Sequence, residues 1–476
     1  MYRRGVDLHV SLAGRGDLAA RIYRQLLDAI LDGGLRPGER LPPTRELARR
    51  LDVSRNTVGV AYDRLTAEGF LVGRVGAGTF VSAVPFTRTA RRRAPAGRGI
   101  RPRALWRSMP PPLVPPSGAY PYDFRVGTPD LGLFPFESWR RLVSRELRPS
   151  AIRSGGYADP AGHAGLRAAI ARHIGVSRSV HADADDIVVT QGAQQALDLI
   201  GRVLVEPGDC LAVEDPGYPP ARQLFRSLGA RIVGVPVDAD GLDVSRLPAA
   251  ARLVYVTPSH QFPLGTPMSL ARRAALLAWA ERHRAVVIED DYDSEYRYSD
   301  RPLEPLQSLD RAGRVVYVGT FSKTLLPLLR LGFLVAPASL RDALRAAKRL
   351  SDWAGDVIAQ AALARFIDEG LLGRHLRRAT KEYALRRELI LDGIDRYLGG
   401  RLAPVPSAAG LHLCARPAAG STVDIDAAVG RAREAGVNVG TLAEYGDEAG
   451  LVLGYGAVRP DRIRPGLRRL AASLTD

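Results

Sequence analysis

A lysine that follows two hydroxyl residues at the end of a β-like run is where this sequence first offers reactive chemistry. Thr320-Phe321-Ser322-Lys323 succeeds the apolar run Val315–Gly319, and Arg330 lies seven positions beyond the lysine. An amine so placed can condense with a carbonyl, while Ser322 and Arg330 can hold an anion next to it. A second run, Val286–Asp290, leads into Asp290-Asp291-Tyr292. An ionised carboxylate against a pyridine nitrogen keeps that ring protonated and electron-withdrawing, and a phenol near a ring oxygen tunes an imine. Asp290 and Tyr292 are the choices for these roles, with Asp291 as the alternative to Asp290. "TQGAQQAL", Thr190–Leu197, turns from strand to helix through Gly192, so the amides of Gly192, Ala193 and Gln194 can point at a phosphate. Tyr218, on the Pro-Gly turn of "EDPGYPPAR", is a candidate ring-stacking aromatic.

A second constellation is basic and lies near the N-terminus. Ile22, Leu26 and Ile30 recur every four residues, and Gly33-Gly34 stops that helical pattern. Pro43–Leu51 then offers Thr44 as a cap and Leu47, Ala48 and Leu51 as a buried face. Asp52-Val53 leads straight to a further cap at Ser54 and a helix that buries Val58, Ala61, Tyr62 and Leu65. Phe70–Ser82 reads as a hairpin around Gly76-Ala77-Gly78. Two helices on a tight turn followed by a hairpin form a winged helix-turn-helix, whose second helix enters the major groove of DNA by its N-terminal end. Arg55, Asn56 and Thr57 occupy that end. An arginine there can donate two bonds to guanine, and Ser54 and Thr57 suit phosphate oxygens.

The elements that must position these groups divide the chain into three: residues 1–83, an Arg/Pro-rich linker over 84–119, and 120–476. The linker carries Arg91 to Arg93, Arg98, Arg101, Arg103 and Arg107 among prolines, which predicts a semi-extended basic tether. Beyond it β-branched runs alternate with helical patterns: Ile187–Thr190, Leu211–Val213, Ile232–Val237, Leu253–Thr257, Val286–Asp290, Val315–Gly319 and Phe333–Val335. That alternation predicts an α/β domain with a mostly parallel sheet and a ligand site at the strands' C-terminal ends. A composition of 46% hydrophobic and 25% charged residues fits a globular protein, and a net charge of +16 suits a polyanionic partner. Cys210 and Cys414 stand far apart in no metal-ligand spacing, so neither a disulfide framework nor a zinc site is expected. No segment approaches the roughly 20 apolar residues of a membrane span, and a reducing, cytoplasmic setting is expected.

"GLRPGERLPPTRELARRLDVSRNTVGVAYDRLTAEGFLVGRVGAGTFV", Gly34–Val81, resembles the DNA-binding domain of the GntR family of bacterial regulators. The resemblance implies DNA contacts from Arg45, Ser54, Arg55, Thr57 and the backbone near Gly76; Asn56 joins them by its place on the helix. Some members carry a further contacting arginine where this chain has Gly59. Residues 120–476 resemble fold type I pyridoxal phosphate enzymes of the class I aminotransferase group. This implies pyridoxal 5'-phosphate as cofactor, with Lys323 as the Schiff-base lysine, Asp290 at the pyridine nitrogen, Tyr292 at the ring oxygen and Tyr218 stacked on the ring. Ser322, Arg330 and the Gly192 turn would hold the phosphate. Tyr157, in "GYADPAGHAGLR", would reach the phosphate of a partner subunit, which implies a homodimer.

Both halves together resemble the MocR subfamily of GntR-type regulators. The fold expected is therefore multidomain: an N-terminal winged helix-turn-helix (α+β) and an α/β fold type I transferase-like domain. The function expected is transcriptional regulation on an operator of double-stranded DNA, switched by the cofactor alone or joined to an amine or amino acid effector. An active aminotransferase with an appended DNA-binding domain is the alternative. Two departures from the aminotransferase pattern favour sensing. Ser259-His260-Gln261-Phe262-Pro263-Leu264-Gly265 stands where Asn-Pro-x-Gly is usual, so His260 or Gln261 would replace the asparagine contact. Val452 stands where an arginine usually grips the substrate carboxylate, with Arg459 the candidate to compensate.

Overall fold

The computed structural model describes residues 17–83, 99–110, 120–152, 156–298 and 304–474. The chain divides into two compact units, residues 1–102 and 103–476.

In the first unit, helix α1 (Leu18–Leu31) starts at Asp17, whose carboxylate accepts from the amides of Ala19 and Ala20. Its four-residue spacing buries Ile22, Leu26 and Ile30. Helix α2 (Thr44–Leu51) buries Leu47 and Ala48, and its C-cap, Asp52, takes the left-handed conformation that reverses the chain. Thr44, expected as the cap, is instead the first helical residue, and Pro43 precedes it with no side-chain bond. Helix α3 (Arg55–Ala67) is capped as expected: Ser54 Oγ accepts from the Thr57 amide at 3.0 Å. Strands β1 (Leu71–Arg74) and β2 (Gly78–Val81) pair antiparallel as the wing.

Of the linker arginines, Arg91 to Arg93 and Arg98 lie outside the described residues. Where an extended tether was expected, Ala104–Arg107 forms one helical turn; Ala-Leu-Trp-Arg contains no proline to prevent it.

The second unit is built on an eight-stranded sheet. Its strands along the chain are β3 (Ile187–Thr190), β4 (Cys210–Asp215), β5 (Arg231–Asp238), β6 (Gly241–Leu242), β7 (Ala251–Val256), β8 (Val286–Asp291), β9 (Val315–Thr320) and β10 (Gly332–Val335). Their spatial order is β3-β10-β9-β8-β7-β4-β5-β6. Strands β9, β8, β7, β4 and β5 pair in parallel. Because β10 is antiparallel to both β9 and β3, β3 also runs with them. All seven predicted runs are present in this sheet, and the prediction of a mostly parallel sheet holds.

Side chains of one strand alternate between faces, and here the alternation separates two cores. Leu211, Val213, Leu253, Tyr255, Ile288, Val316 and Val318 pack on one face. Cys210, Ala212, Val254, Val256, Val287 and Val315 pack on the other. A smaller antiparallel sheet, not expected from the sequence, follows: β11 (Leu402–Pro404), β12 (His412–Pro417), β13 (Gly440–Thr441) and β14 (Leu451–Gly454), in the order β11-β12-β14-β13. None of the described helices is long and apolar enough to cross a membrane.

Candidate functional site

The parallel strands deliver their C-terminal ends to one edge of the large sheet, and a cleft of about 830 Å³, measured out to solvent, opens there. Seven of the expected residues line it: Ala193 after β3, Tyr218 after β4, Asp290 and Tyr292 at β8, and Ser322, Lys323 and Arg330 after β9.

Lys323 is half-buried, and its Nζ donates to the Gly127 carbonyl at 2.7 Å. Burial lowers its pKa, against the opposing charges of Asp293 and Asp290. A neutral amine fraction is what nucleophilic attack on a carbonyl needs. Gly127 adopts a φ of +75°, and a Cβ there would stand 2.6 Å from Lys323 Nζ, so only glycine leaves the amine its place. Nothing in the sequence marks Gly127, because its role comes entirely from the lysine packed against it.

Strand parity separates the two adjacent aspartates. Asp290 lies two residues beyond Ile288 and shares its face, where Tyr255 donates to Asp290 Oδ2 at 2.7 Å. Asp290 Oδ1 is buried without a hydrogen-bond partner and belongs to a cleft-lining side chain, so it can accept from a donor placed in the cleft. Burial raises this carboxyl to about 7. Asp291 faces the other way and takes bonds from Arg178 Nε at 2.7 Å and Tyr317 Oη at 2.6 Å. Burial alone would raise its pKa, but the Arg178 guanidinium holds it below the ordinary value.

At the far end of the cleft, Gly192 turns β3 into helix α4 (Ala193–Leu204) with a φ of +77°. A Cβ at Gly192 would lie 3.0 Å from Arg330 Nη2, so the glycine lets that guanidinium lie across the turn, where it donates to the Gln191 carbonyl at 2.7 Å. Free amides at the start of a helix, beside a guanidinium and the Ser322 hydroxyl, form an anion cradle. Gly192 supplies the turn; Ala193 and Gln194 face the cleft. Tyr218 meets Phe262 edge-on, with ring centroids 5.5 Å apart.

Three expectations are corrected. His260 does not line the cleft: it lies behind Tyr292 and Asp293, with Nδ1 3.0 Å from both carboxylate oxygens of Asp293 and its carbonyl accepting from Tyr292 Oη at 2.9 Å. Gln261 is also turned away, donating to the carbonyls of Pro216 and Phe262. Phe262 occupies the cleft wall that one of them was expected to reach. Arg459 does not compensate for Val452, because it pairs with Asp461 at 3.0 Å outside the cleft. Tyr157, expected to serve a partner subunit and not its own chain, is 85% exposed, packs against Trp353 with the ring planes tilted by 33°, and does not line the cleft of its own chain.

In the first unit, Arg45, Arg55 and Asn56 are exposed, and Thr57 is half-buried. Arg45 and Arg55 make no hydrogen bond or ion pair with any described residue, whereas Arg50 and Arg64 are held by Glu46 and Glu68. Ser54 Oγ and Thr57 Oγ1 lie 2.8 Å apart at the start of α3. Gly76 forms the wing tip with a φ of +73°, and a Cβ there or at Gly59 would meet only open space.

Two families match the chain. Aminotransferase class I and II covers residues 123–441, and the bacterial regulatory proteins of the gntR family cover residues 18–81. The chain is 39% identical over 460 residues to the probable rhizopine catabolism regulatory protein MocR of Rhizobium meliloti, covering 95% of this chain and 93% of that one. It is 33% identical over 459 residues to the HTH-type pyridoxine biosynthesis transcriptional regulator PdxR of Corynebacterium glutamicum, covering 94% of each. Among solved structures, the kynurenine aminotransferase of Pyrococcus horikoshii superposes with a TM-score of 0.69 at 29% identity, over 75% of this chain and 91% of that one.

Proposed function

The chain belongs to the GntR family of bacterial regulators, in the MocR subfamily that joins a winged helix to an aminotransferase class I and II domain, and from that membership we propose that it senses pyridoxal phosphate, alone or joined to an amine, and couples the sensing to operator binding. It does so in the cytoplasm as a homodimer, with the exposed Tyr157 reaching the partner's cleft. The observation that carries the reading is a cleft with the groups the cofactor needs and, among the described residues, no second lining arginine for a substrate carboxylate: Val452 is buried among Leu264, Cys414 and Leu442.

The donor set fits the cofactor. Lys323 would supply the amine, the unpartnered Asp290 Oδ1 would accept from a ring N–H, and Tyr292 and Tyr218 would hold the ring oxygen and the ring face. Ser322, Arg330 and the α4 amides take the phosphate. Bound there, pyridoxal phosphate supplies an aldehyde that condenses with primary amines and a ring that withdraws electrons. Burial raises the Asp290 pKa, and a cationic donor opposite Oδ1 would return it to the ionised state. His260 holds the Tyr292 hydroxyl from behind and is itself held by Asp293.

The test compares operator binding by cofactor-free and cofactor-loaded protein. A coupling of about 1–3 kcal/mol is expected, since a ligand shifts a regulator only by its differential affinity for two states. Identical binding in both forms, together with sustained transamination of an amino donor and a 2-oxo acid, would instead identify an aminotransferase that also binds DNA.

On the DNA side, Arg45, Ser54, Arg55, Asn56, Thr57 and the Gly76 wing form the contact surface. Arg55→Ala weakens binding to the operator by ~1–3 kcal/mol and relaxes its sequence preference, because a bidentate base contact is lost. The measurement is binding to operator and random duplexes at one salt concentration. Equal losses on both would make Arg55 a phosphate contact only.

A further inference from the structure

We propose that the amine admitted to this cleft carries no carboxylate, and that the ligand class is a primary amine whose other polar groups are hydroxyls or a second ammonium. The proposal rests on the cofactor reading above and concerns the part of the cleft that the cofactor leaves free.

Four lining side chains carry charge: Asp290, Asp293, Lys323 and Arg330. With Arg330 at the phosphate, Asp290 at the ring nitrogen and Lys323 released from the imine as the incoming amine takes its place, the fixed charge that remains is the Asp293 carboxylate. Three arginines of the described loops and helices are occupied elsewhere. Arg125 pairs with Asp123, Arg222 with Asp215, and Arg386 with Asp130 and Glu382. An incoming carboxylate would therefore lose its hydration, find no guanidinium among the described lining residues other than Arg330 at the phosphate, and face Asp293.

Two of the lining side chains that the cofactor does not use, Asp293 and His412, offer acceptors. Asp293 accepts from His260 Nδ1 and, at 3.3 Å, from the Leu411 amide, which leaves capacity on a carboxylate with about four acceptor sites. His412 Nε2 must donate to the Pro263 carbonyl, 3.1 Å away, so Nδ1 of the same lining ring is an acceptor. Burial, and then the neighbouring His260, hold His412 well below the ordinary histidine pKa, so this ring stays neutral and does not replace a guanidinium. Phe262, Leu411 and Val126 make the rest of this wall apolar. A wall of acceptors and apolar surface selects donors on a short carbon frame.

The test titrates cofactor-loaded, full-length protein with 2-aminoethanol, 1,4-diaminobutane and 1-aminobutane on one side, and L-alanine, L-glutamate and 4-aminobutanoate on the other. The readout is the change in the visible band of the lysine-bound cofactor. The amines are expected to shift the band at concentrations at least about tenfold below those of the amino acids. In Asp293→Asn the preference for 1,4-diaminobutane over 1-aminobutane is expected to collapse. Amino acids acting at equal or lower concentrations, or a band that neither class moves, overturns the proposal. A protein that shows no visible band before any amine is added overturns the cofactor reading instead.

Discussion

Lys323→Ala is expected to abolish the visible band of the cofactor-loaded protein while leaving the fold intact. The chain has only three lysines, Lys323, Lys348 and Lys381, and only the first lines the cleft. Lys348 is paired with Asp352, and Lys381 is exposed on the long helix Leu371–Gly393. The alanine variant loses the bond from Nζ to the Gly127 carbonyl, but that carbonyl borders an open cleft where water can replace the amine. Folding should therefore be little disturbed, and thermal unfolding without cofactor should match the parent. Arg330, Ser322 and the α4 amides are untouched, so the phosphate is still held and the cofactor still binds, without its covalent link. Borohydride reduction of the parent followed by peptide mapping gives the independent check. Modification of Lys348 or Lys381, or a band that survives the substitution, would remove Lys323 from the centre of the site.

Much of this site was legible because its residues lie in short segments whose neighbours complete one chemistry. Lys323 has Ser322 before it and Arg330 seven positions on, and Asp290 has Tyr292 beside it. The strands that carry them were legible for a related reason: parallel strands buried on both faces read as continuous β-branched runs. That same continuity hid the choice between Asp290 and Asp291. Val287 and Ile288 are equally apolar, and only the packed sheet shows that Ile288 faces the core beneath the cleft. Tyr255 was hidden likewise, as one more large residue in a buried run, although its hydroxyl holds Asp290. His260 was misplaced because the asparagine it replaces was assumed to leave its direction behind. The larger ring turns back to Asp293, and Phe262 takes the wall. The small sheet escaped notice because its strands are two to six residues long and broken by glycine and proline, too short for a period-2 pattern to stand out. In the first unit, Ser54 was legible as a cap by its position before a periodic helix, and the same reasoning failed at Thr44, where Pro43 takes the turn.

Arg178→Ala is expected to cost about 3–5 kcal/mol of stability at neutral pH, because it strands the Asp291 carboxylate in a low-dielectric interior. Arg178 and Asp291 side chains are 4% and 1% exposed, and the guanidinium also donates to Ser259 Oγ at 2.7 Å. The pH dependence gives the substitution a signature that a lost packing contact would not have. In the parent, Asp291 is held below its ordinary pKa, so its contribution is present above the unfolded carboxylate value of about 3.9 and is lost as pH falls through the folded value. In the variant the guanidinium is gone and burial governs, raising the folded pKa above the unfolded one. The charged carboxylate then destabilises the variant above that folded value, and the penalty disappears as protonation neutralises it. The gap between parent and variant should therefore be wide at pH ~8 and narrower at pH ~5. Glu214, raised to about 7 by burial and influenced by neither Arg178 nor Asp291, titrates in both proteins and cancels in the difference, whereas Glu289 and Glu295 feel the charge of Arg178 and add to the same pH-dependent gap. Denaturant unfolding at the two pH values makes the measurement. Adding Asp291→Asn to an Arg178→Met background should recover most of the loss, since an amide oxygen still accepts from Tyr317 and no charge is left unpaired. A gap that stays constant with pH, or a double variant as unstable as the single one, would show that Arg178 acts by packing rather than by neutralising Asp291.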